Sequence, residues 1–290
     1  MLQKGAAKRR IGLGIKKVGF QGEHGAFSEK AALGYFGNEI EAVPCLTVGD
    51  VFEKISTGEI DFGAVPVENT IGGNIYETYD SLAEGNATVI GEIFLKIEHS
   101  LIGFPGTSIS DLRHIYSHPQ AIEQCREFLN GLNARKVSVY DTAGAVRKIK
   151  EEGIRDSAAI ADASVAAAYG LDVLRKGIEG RGPNLTRFLI VSKKQPVAGP
   201  EGEPAKTSLC FAVKHSPGSL YRAIRPFAER KINLTKIESR PRNSSPWEYY
   251  FFLDFEGSIG LEECAKAVAE MRAEAEYVKI LGSYRRGEVK

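Results

Sequence analysis

Only four of the 290 residues are cysteine, two are methionine and one is tryptophan. Cys45, Cys125, Cys210 and Cys264 stand far apart, with none of the paired spacings of a zinc site or a redox motif. Each lies among apolar neighbours and is expected to be a small buried hydrophobe, which points to a reducing, cytoplasmic setting. An excess of one charge is missing too: 38 Lys and Arg against 37 Asp and Glu leave a formal net charge of +1. That balance argues against a nucleic-acid footprint and against a membrane-surface patch. No apolar run reaches the length needed to span a bilayer, so no membrane partner is expected. The basic N-terminus (Lys8, Arg9, Arg10, Lys16, Lys17) encloses an apolar piece too short for a signal peptide, and residues 1–16 are expected to be a disordered lead-in. The sequence also offers no carboxylate pair, metal-ligand cluster or nucleophile–base pair, so neither a metal nor another cofactor is expected.

What is present is the composition of a soluble globular protein, 43% hydrophobic and 26% charged, long enough for about two domains. Strands alternate with helices over the first two thirds. A strand at 17–20 runs into the loop 21–28 and a helix over 29–35. A helix over 48–56 carries Val51, Phe52 and Ile55 at helical spacing. A strand at 60–65 runs straight into Pro66-Val67-Glu68-Asn69-Thr70, before a helix over 75–83. After a long extended stretch at 88–104 the same grammar restarts. Strands at 114–116, 136–140 and 158–161 lead into Ser117-His118-Pro119-Gln120, Asp141-Thr142 and Asp162, each followed by a helix (121–129, 143–150, 163–169). This predicts an α/β fold with two lobes, 17–94 plus 182–194 and 95–181, hinged by 88–104 outward and 185–191 back. Residues 195–206, with three prolines and two glycines, read as a linker. From 207 to 285 the order β-α-β-β-α-β is that of a ferredoxin-like sandwich.

The return crossing is the most informative stretch. In Asn184-Leu185-Thr186-Arg187-Phe188 an amide, a hydroxyl and a guanidinium meet where a Gly-Pro loop enters a strand. Alternation puts Thr186 and Phe188 on one face and Arg187 on the other. Alone, these residues describe no more than an edge strand with a solvated Arg. Asn69 or Thr70 alone is a helix cap, and His118 before a proline a satisfied loop residue. Together, however, five polar strand ends face the place where open α/β sheets bind ligands, with helix N-termini offering amides to anions. That suits a small polyanionic organic molecule and does not name it.

Three of these segments, Asn184 to Phe188, Pro66 to Thr70 and Ser117-His118-Pro119-Gln120, resemble signatures of the prephenate dehydratase family. The loop Gly25-Ala26-Phe27-Ser28 and the stretch from Ala159-Ile160-Ala161 to Leu171 are similar to that family as well. The C-terminal unit, with Pro217-Gly218-Ser219-Leu220 and the run from Ile232-Asn233-Leu234 to Glu238-Ser239-Arg240-Pro241, resembles its phenylalanine-sensing ACT domain. The likeness extends from about residue 17 to 284 in the family's order. Ser219 stands where the family usually has Ala, and Pro226 lies inside the sensing helix; both bear on effector affinity more than on the reaction.

The resemblance implies a two-lobed catalytic domain of the type II periplasmic-binding-protein kind, followed by the ACT domain. It implies conversion of prephenate to phenylpyruvate, water and carbon dioxide, a reaction driven by aromatisation that calls for no cofactor. Thr186 would be the donor or general acid to the departing hydroxyl, with Asn69 and Gln120 fixing the substrate from opposite lobes. For Arg187 the family pattern favours carboxylate binding, while strand alternation favours an orienting salt bridge. Glu68, Thr70, Ser117, His118, Phe188, Ala26, Phe27, Ser28 and Ala161 would complete the substrate site. L-phenylalanine would bind between Gly218, Ser219 and Leu220 of one chain and Asn233, Leu234, Glu238, Ser239, Arg240 and Pro241 of another, in a homodimer or homotetramer. An arogenate dehydratase of the same fold, or a non-catalytic amino-acid-binding sensor, are the alternatives.

Overall fold

The computed structural model describes residues 15–180, 182–193, 204–242 and 248–289. The expected N-terminal lead-in, apart from its last two residues, and most of the linker lie outside them. In chain order the first elements are β1 (Lys16–Gln21), α1 (Phe27–Phe36), β2 (Ile40–Cys45), α2 (Val48–Thr57), β3 (Phe62–Asn69), β4 (Gly73–Asn74), α3 (Tyr76–Glu84) and β5 (Thr88–Lys96). Then follow β6 (Ser100–Gly103), β7 (His114–Ser117), α4 (Pro119–Gln124), α5 (Arg126–Asn130), β8 (Arg135–Ser138), α6 (Thr142–Glu151), β9 (Ser157–Ala161), α7 (Ser164–Ala168), β10 (Asp172–Lys176) and β11 (Leu185–Ser192). The last group is β12 (Ala205–Ala212), α8 (Ser219–Glu229), β13 (Leu234–Pro241), β14 (Tyr249–Glu256), α9 (Glu262–Glu274) and β15 (Tyr277–Arg285).

Three sheets organise them. The first runs β2-β1-β3-β11-β5, with β4 beside β3; β1 is parallel to β2 and β3, and β11 is antiparallel to both its neighbours. The second runs β10-β6-β9-β7-β8, parallel through β9-β7-β8 and antiparallel at β6. Both are thus mixed sheets in an α/β arrangement. The chain leaves the first sheet at Ile97 to His99 and returns at Asn184, so the expected long strand at 88–104 is two strands with a break between. The third sheet, β13-β14-β12-β15, is antiparallel throughout, with α8 and α9 packed against one another. This is the ferredoxin-like order that the β-α-β-β-α-β pattern predicts.

The C-terminal unit is not tethered at a distance. One hydrophobic cluster joins Val51, Tyr79, Leu82 and Leu189 to Cys210, Phe252, Leu281 and Tyr284, across the two parts of the chain. Strand β15 crosses β5 so closely that a Cβ on Gly282 would stand 1.9 Å from the carbonyl oxygen of Val89. Only glycine fits there, whatever its dihedral angles. Among the described residues no helix is long and apolar enough to cross a membrane.

Candidate active site

Strand pairing builds the centre of the site. Antiparallel register sets Thr186 of β11 directly opposite Asn69, the last residue of β3. The Asn69 amide donates through Nδ2 to Thr186 Oγ1 at 2.9 Å, to Asn184 Oδ1 at 2.8 Å and to the Leu185 carbonyl at 3.2 Å. Its Oδ1 accepts from the backbone N–H groups of Ile71 at 3.0 Å and Gly72 at 2.6 Å. A backbone N–H can only donate, so these two bonds fix which end of the amide is oxygen. Nδ2 must therefore face Thr186. The threonine oxygen accepts from Asn69, and no acceptor for its own hydrogen lies within reach among the described residues. That hydrogen is free to point into the cleft.

The second lobe supplies further amides. Gln120 and Gln124 sit one turn apart on α4 and so share a helix face. Gln124 donates through Nε2 to Asn69 Oδ1 at 3.2 Å, while its Oε1 accepts from Asn184 Nδ2 at 3.1 Å and meets His99 Nε2 at 2.7 Å. With Oε1 an acceptor, His99 is the donor through Nε2. Burial lowers the His99 pKa, in keeping with that neutral form. Gln120 lies over Gly72, where a Cβ would stand 1.7 Å from its Nε2. His118 caps α4, its Nδ1 accepting from the Gln120 N–H at 3.3 Å, and burial lowers its pKa too.

These groups line one cleft of about 290 Å³, close to the roughly 300 Å³ at which small-molecule sites begin. Ala26, Phe27, Ser28, His118 and Phe188 line it as well, and so do Glu77, Tyr140 and Asp141. Helix α1 opens at the cleft without a side-chain cap at Ala26, leaving its first N–H groups available. Beside the cleft-lining Tyr140, Glu23 accepts from the Tyr140 hydroxyl and from Arg147 at 3.1 Å, and elsewhere Lys30 pairs with Asp162 at 2.7 Å. Asp141 is nearly buried; desolvation raises its pKa, and N–H groups, first that of Gly144, offset part of the rise. Among the described residues the lining holds no Lys or Arg, and no group of three or more His, Cys, Asp or Glu is placed to hold a metal ion.

Arg187 requires a correction. It is 6% exposed on the face of β11 turned away from Thr186. Its Nε reaches Glu92 Oε2 at 2.7 Å, its Nη1 reaches Asp254 Oδ2 at 2.6 Å and its Nη2 reaches the Tyr284 hydroxyl at 3.0 Å. Burial works against the charge, but Asp254, Tyr284 and Glu92 outweigh it and hold the guanidinium well above its ordinary pKa. Lys206 completes the cluster on Glu92 at 2.9 Å. This is the orienting salt bridge of the two readings, and it joins the first sheet to the C-terminal unit.

Four further residues stand outside the cleft. The Ser117 hydroxyl is spent on the Ile160 carbonyl at 2.7 Å. Thr70 staples the return loop, donating to the Pro183 carbonyl at 2.6 Å and accepting from the Leu185 N–H at 3.0 Å. Ala161 is buried in the second sheet's core, and Glu68 pairs with Lys236 at 3.1 Å. The residues expected to meet phenylalanine lie on the α8 turn and on β13. Gly218 takes the left-handed conformation before α8, and Ser219 is buried against Ser216 at 2.7 Å. Leu220 packs beside the third sheet's core, and Leu234 with it. Asn233 is exposed just before β13, along which Glu238 is half-buried and Ser239 and Pro241 are exposed. Arg240 is engaged by Asp80 of the same chain. Sequence reasoning missed Gln124, His99 and Glu77; the four-residue step from Gln120 to Gln124 was the available signal.

Fold and cleft together define the class, an α/β protein with a polar cleft of small-molecule size between two sheets. The chain belongs to the prephenate dehydratase family, whose model matches residues 18–196. Dehydratases of this kind are lyases. The chain is 38% identical over 277 residues to the chloroplastic arogenate dehydratase/prephenate dehydratase 2 of Arabidopsis thaliana, covering 92% of this chain and 72% of that protein. Its structure is similar to that of a prephenate dehydratase from Arthrobacter aurescens in complex with L-Phe, with a TM-score of 0.86, 31% identity, and coverage of 93% of this chain and 90% of that one. It is also similar, with a TM-score of 0.85 and 32% identity over 93% and 98% of the two chains, to GqqA, described as a novel type of quorum quenching acylase.

Proposed function

We propose that this chain converts prephenate to phenylpyruvate in phenylalanine biosynthesis, under feedback from L-phenylalanine. The observation that carries the chemistry is the pinned Asn69 amide, which leaves the Thr186 hydrogen free for the substrate. The ring carboxylate departs as carbon dioxide, and the pair from its C–C bond enters the ring and expels the hydroxyl. Thr186 donates a hydrogen bond to that hydroxyl, which departs with the C–O electron pair and takes up one proton from solvent to become water. An alcohol is a weak acid, so its contribution is positional and electrostatic rather than a matched pKa. Gln120 and Gln124 orient the substrate from the second lobe, and the open N-terminus of α1 receives a carboxylate. No cation lines the cleft among the described residues to anchor the carboxylate that must leave.

In this reading residues 17–194 form the hinged catalytic domain, of periplasmic-binding-protein type, and 207–285 an ACT regulatory domain beyond the 195–206 linker. Phenylalanine binds at the α8 turn of one chain and at Asn233 and 238–241 of another, in a cytoplasmic homodimer or homotetramer. The experiment is phenylpyruvate formation by the purified chain, assayed from prephenate and from arogenate. Thr186→Ala should lower kcat by about 10²-fold or more, while Thr186→Ser, which keeps the hydroxyl, retains most of the activity. A loss below about tenfold in Thr186→Ala removes Thr186 from the role.

A further inference from the structure

Strand β13 has one covered and one open face, with Leu234, Lys236, Glu238 and Arg240 half-buried and Thr235, Ile237, Ser239 and Pro241 exposed. The covered face grips the segment that leads from the end of β3 into α3. Lys236 Nζ pairs with Glu68 Oε2 at 3.1 Å and donates to Asn74 Oδ1 at 2.8 Å. Arg240 makes a two-pronged pair with Asp80, Nε to Oδ1 at 2.9 Å and Nη2 to Oδ2 at 2.7 Å. Its guanidinium lies 4.6 Å from the centroid of the Tyr76 ring. Lys236 and Arg240 are separated by about 13 Å of strand, so the segment is held near both ends. Between those holds lie Asn69, which orients Thr186, and Ile75 and Glu77, which line the cleft.

We infer that Asp80 is a coupling residue, through which a displacement of β13 reaches residues 68–80 and thereby the cleft wall. The inference rests on the reading that phenylalanine binds at the residues of β13. A half-exposed ion pair adds little to stability, but a planar two-pronged pair fixes direction as well as distance. Arg240 spends both prongs and its ring contact on α3. Its side chain therefore carries the motion of β13, and the contact of Arg240 with the effector falls to its backbone. Allosteric coupling requires contacts that differ between two states of the molecule, and these contacts join the effector strand to the catalytic segment directly.

The test uses the full chain, with kcat and KM for prephenate measured with and without saturating phenylalanine, and phenylalanine binding measured by calorimetry. Asp80→Asn should bind phenylalanine, and turn over prephenate in its absence, within about threefold of the unsubstituted chain, yet be inhibited at least about fivefold less, the lower end of typical couplings. Asp80→Glu, which keeps the charge, should recover most of the inhibition. Inhibition of Asp80→Asn equal to that of the unsubstituted chain overturns the inference. So does loss of phenylalanine binding by Asp80→Asn, which would place Asp80 in the effector pocket. If the unsubstituted chain binds no phenylalanine, the regulatory reading itself fails and takes the coupling with it, a result seen before any substitution is made.

Discussion

Arg187→Met separates the two roles open to that arginine. The substitution removes the guanidinium from between Glu92 and Asp254 and keeps most of the side-chain volume. Glu92 retains Lys206 at 2.9 Å, whereas Asp254 retains the Ser208 hydroxyl as its hydrogen-bonded partner. Breaking a buried pair so that one charge is left uncompensated costs about 3–5 kcal/mol, a large share of the roughly 5–15 kcal/mol that holds a domain folded. The deficit depends on pH. Burial raises the Asp254 pKa, but Arg187, Ser208 and Lys206 outweigh it, and the net shift is downward. A carboxylate lowered in this way contributes stability that is present above its unfolded pKa, about 3.9, and lost as pH falls through the folded value. Without Arg187 the largest of the opposing contributions is gone, and the folded pKa rises. The destabilisation then grows as pH rises from about 4 and is greatest near neutrality. Urea melts at pH 7 and pH 4.5 should show a loss of about 3–5 kcal/mol at pH 7 that narrows in acid. Arg187→Met with Asp254→Leu should recover much of it. Because the guanidinium faces away from the cleft, KM for prephenate should change less than about tenfold, not as for loss of a bidentate carboxylate anchor. A loss below about 1 kcal/mol at pH 7, or a deficit that does not narrow in acid, would refute the reasoning.

Gln124→Ala removes the donor to Asn69 and the acceptor for Asn184 and His99, and should lower kcat/KM by about 10²-fold with little change in melting temperature; steady-state kinetics beside a thermal melt decide it. Burial lowers the pKa of both His99 and His118 from the ordinary histidine value, so no acid limb of kcat/KM centred at about 6.5 is expected from either ring. An acid limb at 6.5 that disappears in His118→Asn would contradict this. Lys231 is the one non-glycine residue with positive φ among the described residues, at 55°, just after α8. Lys231→Gly should therefore raise stability by about 1 kcal/mol in a denaturant titration.

Much of the α/β grammar was legible because buried strands and amphipathic helices carry different periods. Edge strands were not. Residues 40–45 escaped notice because Pro44 interrupts them, and β2 tolerates that proline only because it lies at the edge of its sheet. Strand β10, also at an edge, is short and mostly polar. The helix expected over 121–129 breaks at Cys125, a tertiary effect with no punctuating residue. At the site, alternation correctly turned Arg187 from Thr186, while the polar loops were legible only as donors and acceptors. Which hydroxyls serve the cleft and which satisfy the backbone, as Ser117 and Thr70 do, depends on carbonyls brought near by folding.

The position of β11 has a consequence for synthesis. It lies between β3 and β5, yet Thr186 follows its partner Asn69 by 117 residues. At 5–20 residues per second, a ribosome takes roughly 6–23 s to travel that distance. During that interval β3 has an unfilled edge and β5, whose neighbour in the sheet is β11, has none of its ladder. Val89, Ile93 and Leu95 of β5 are among the strand's buried residues in the finished sheet. The nascent chain thus displays adhesive strands until β11 has been made, a window in which a chaperone or the nearby second lobe must shield them. A chain ending before residue 185, whether by a premature stop or a nick, loses the ladder of two strands rather than one.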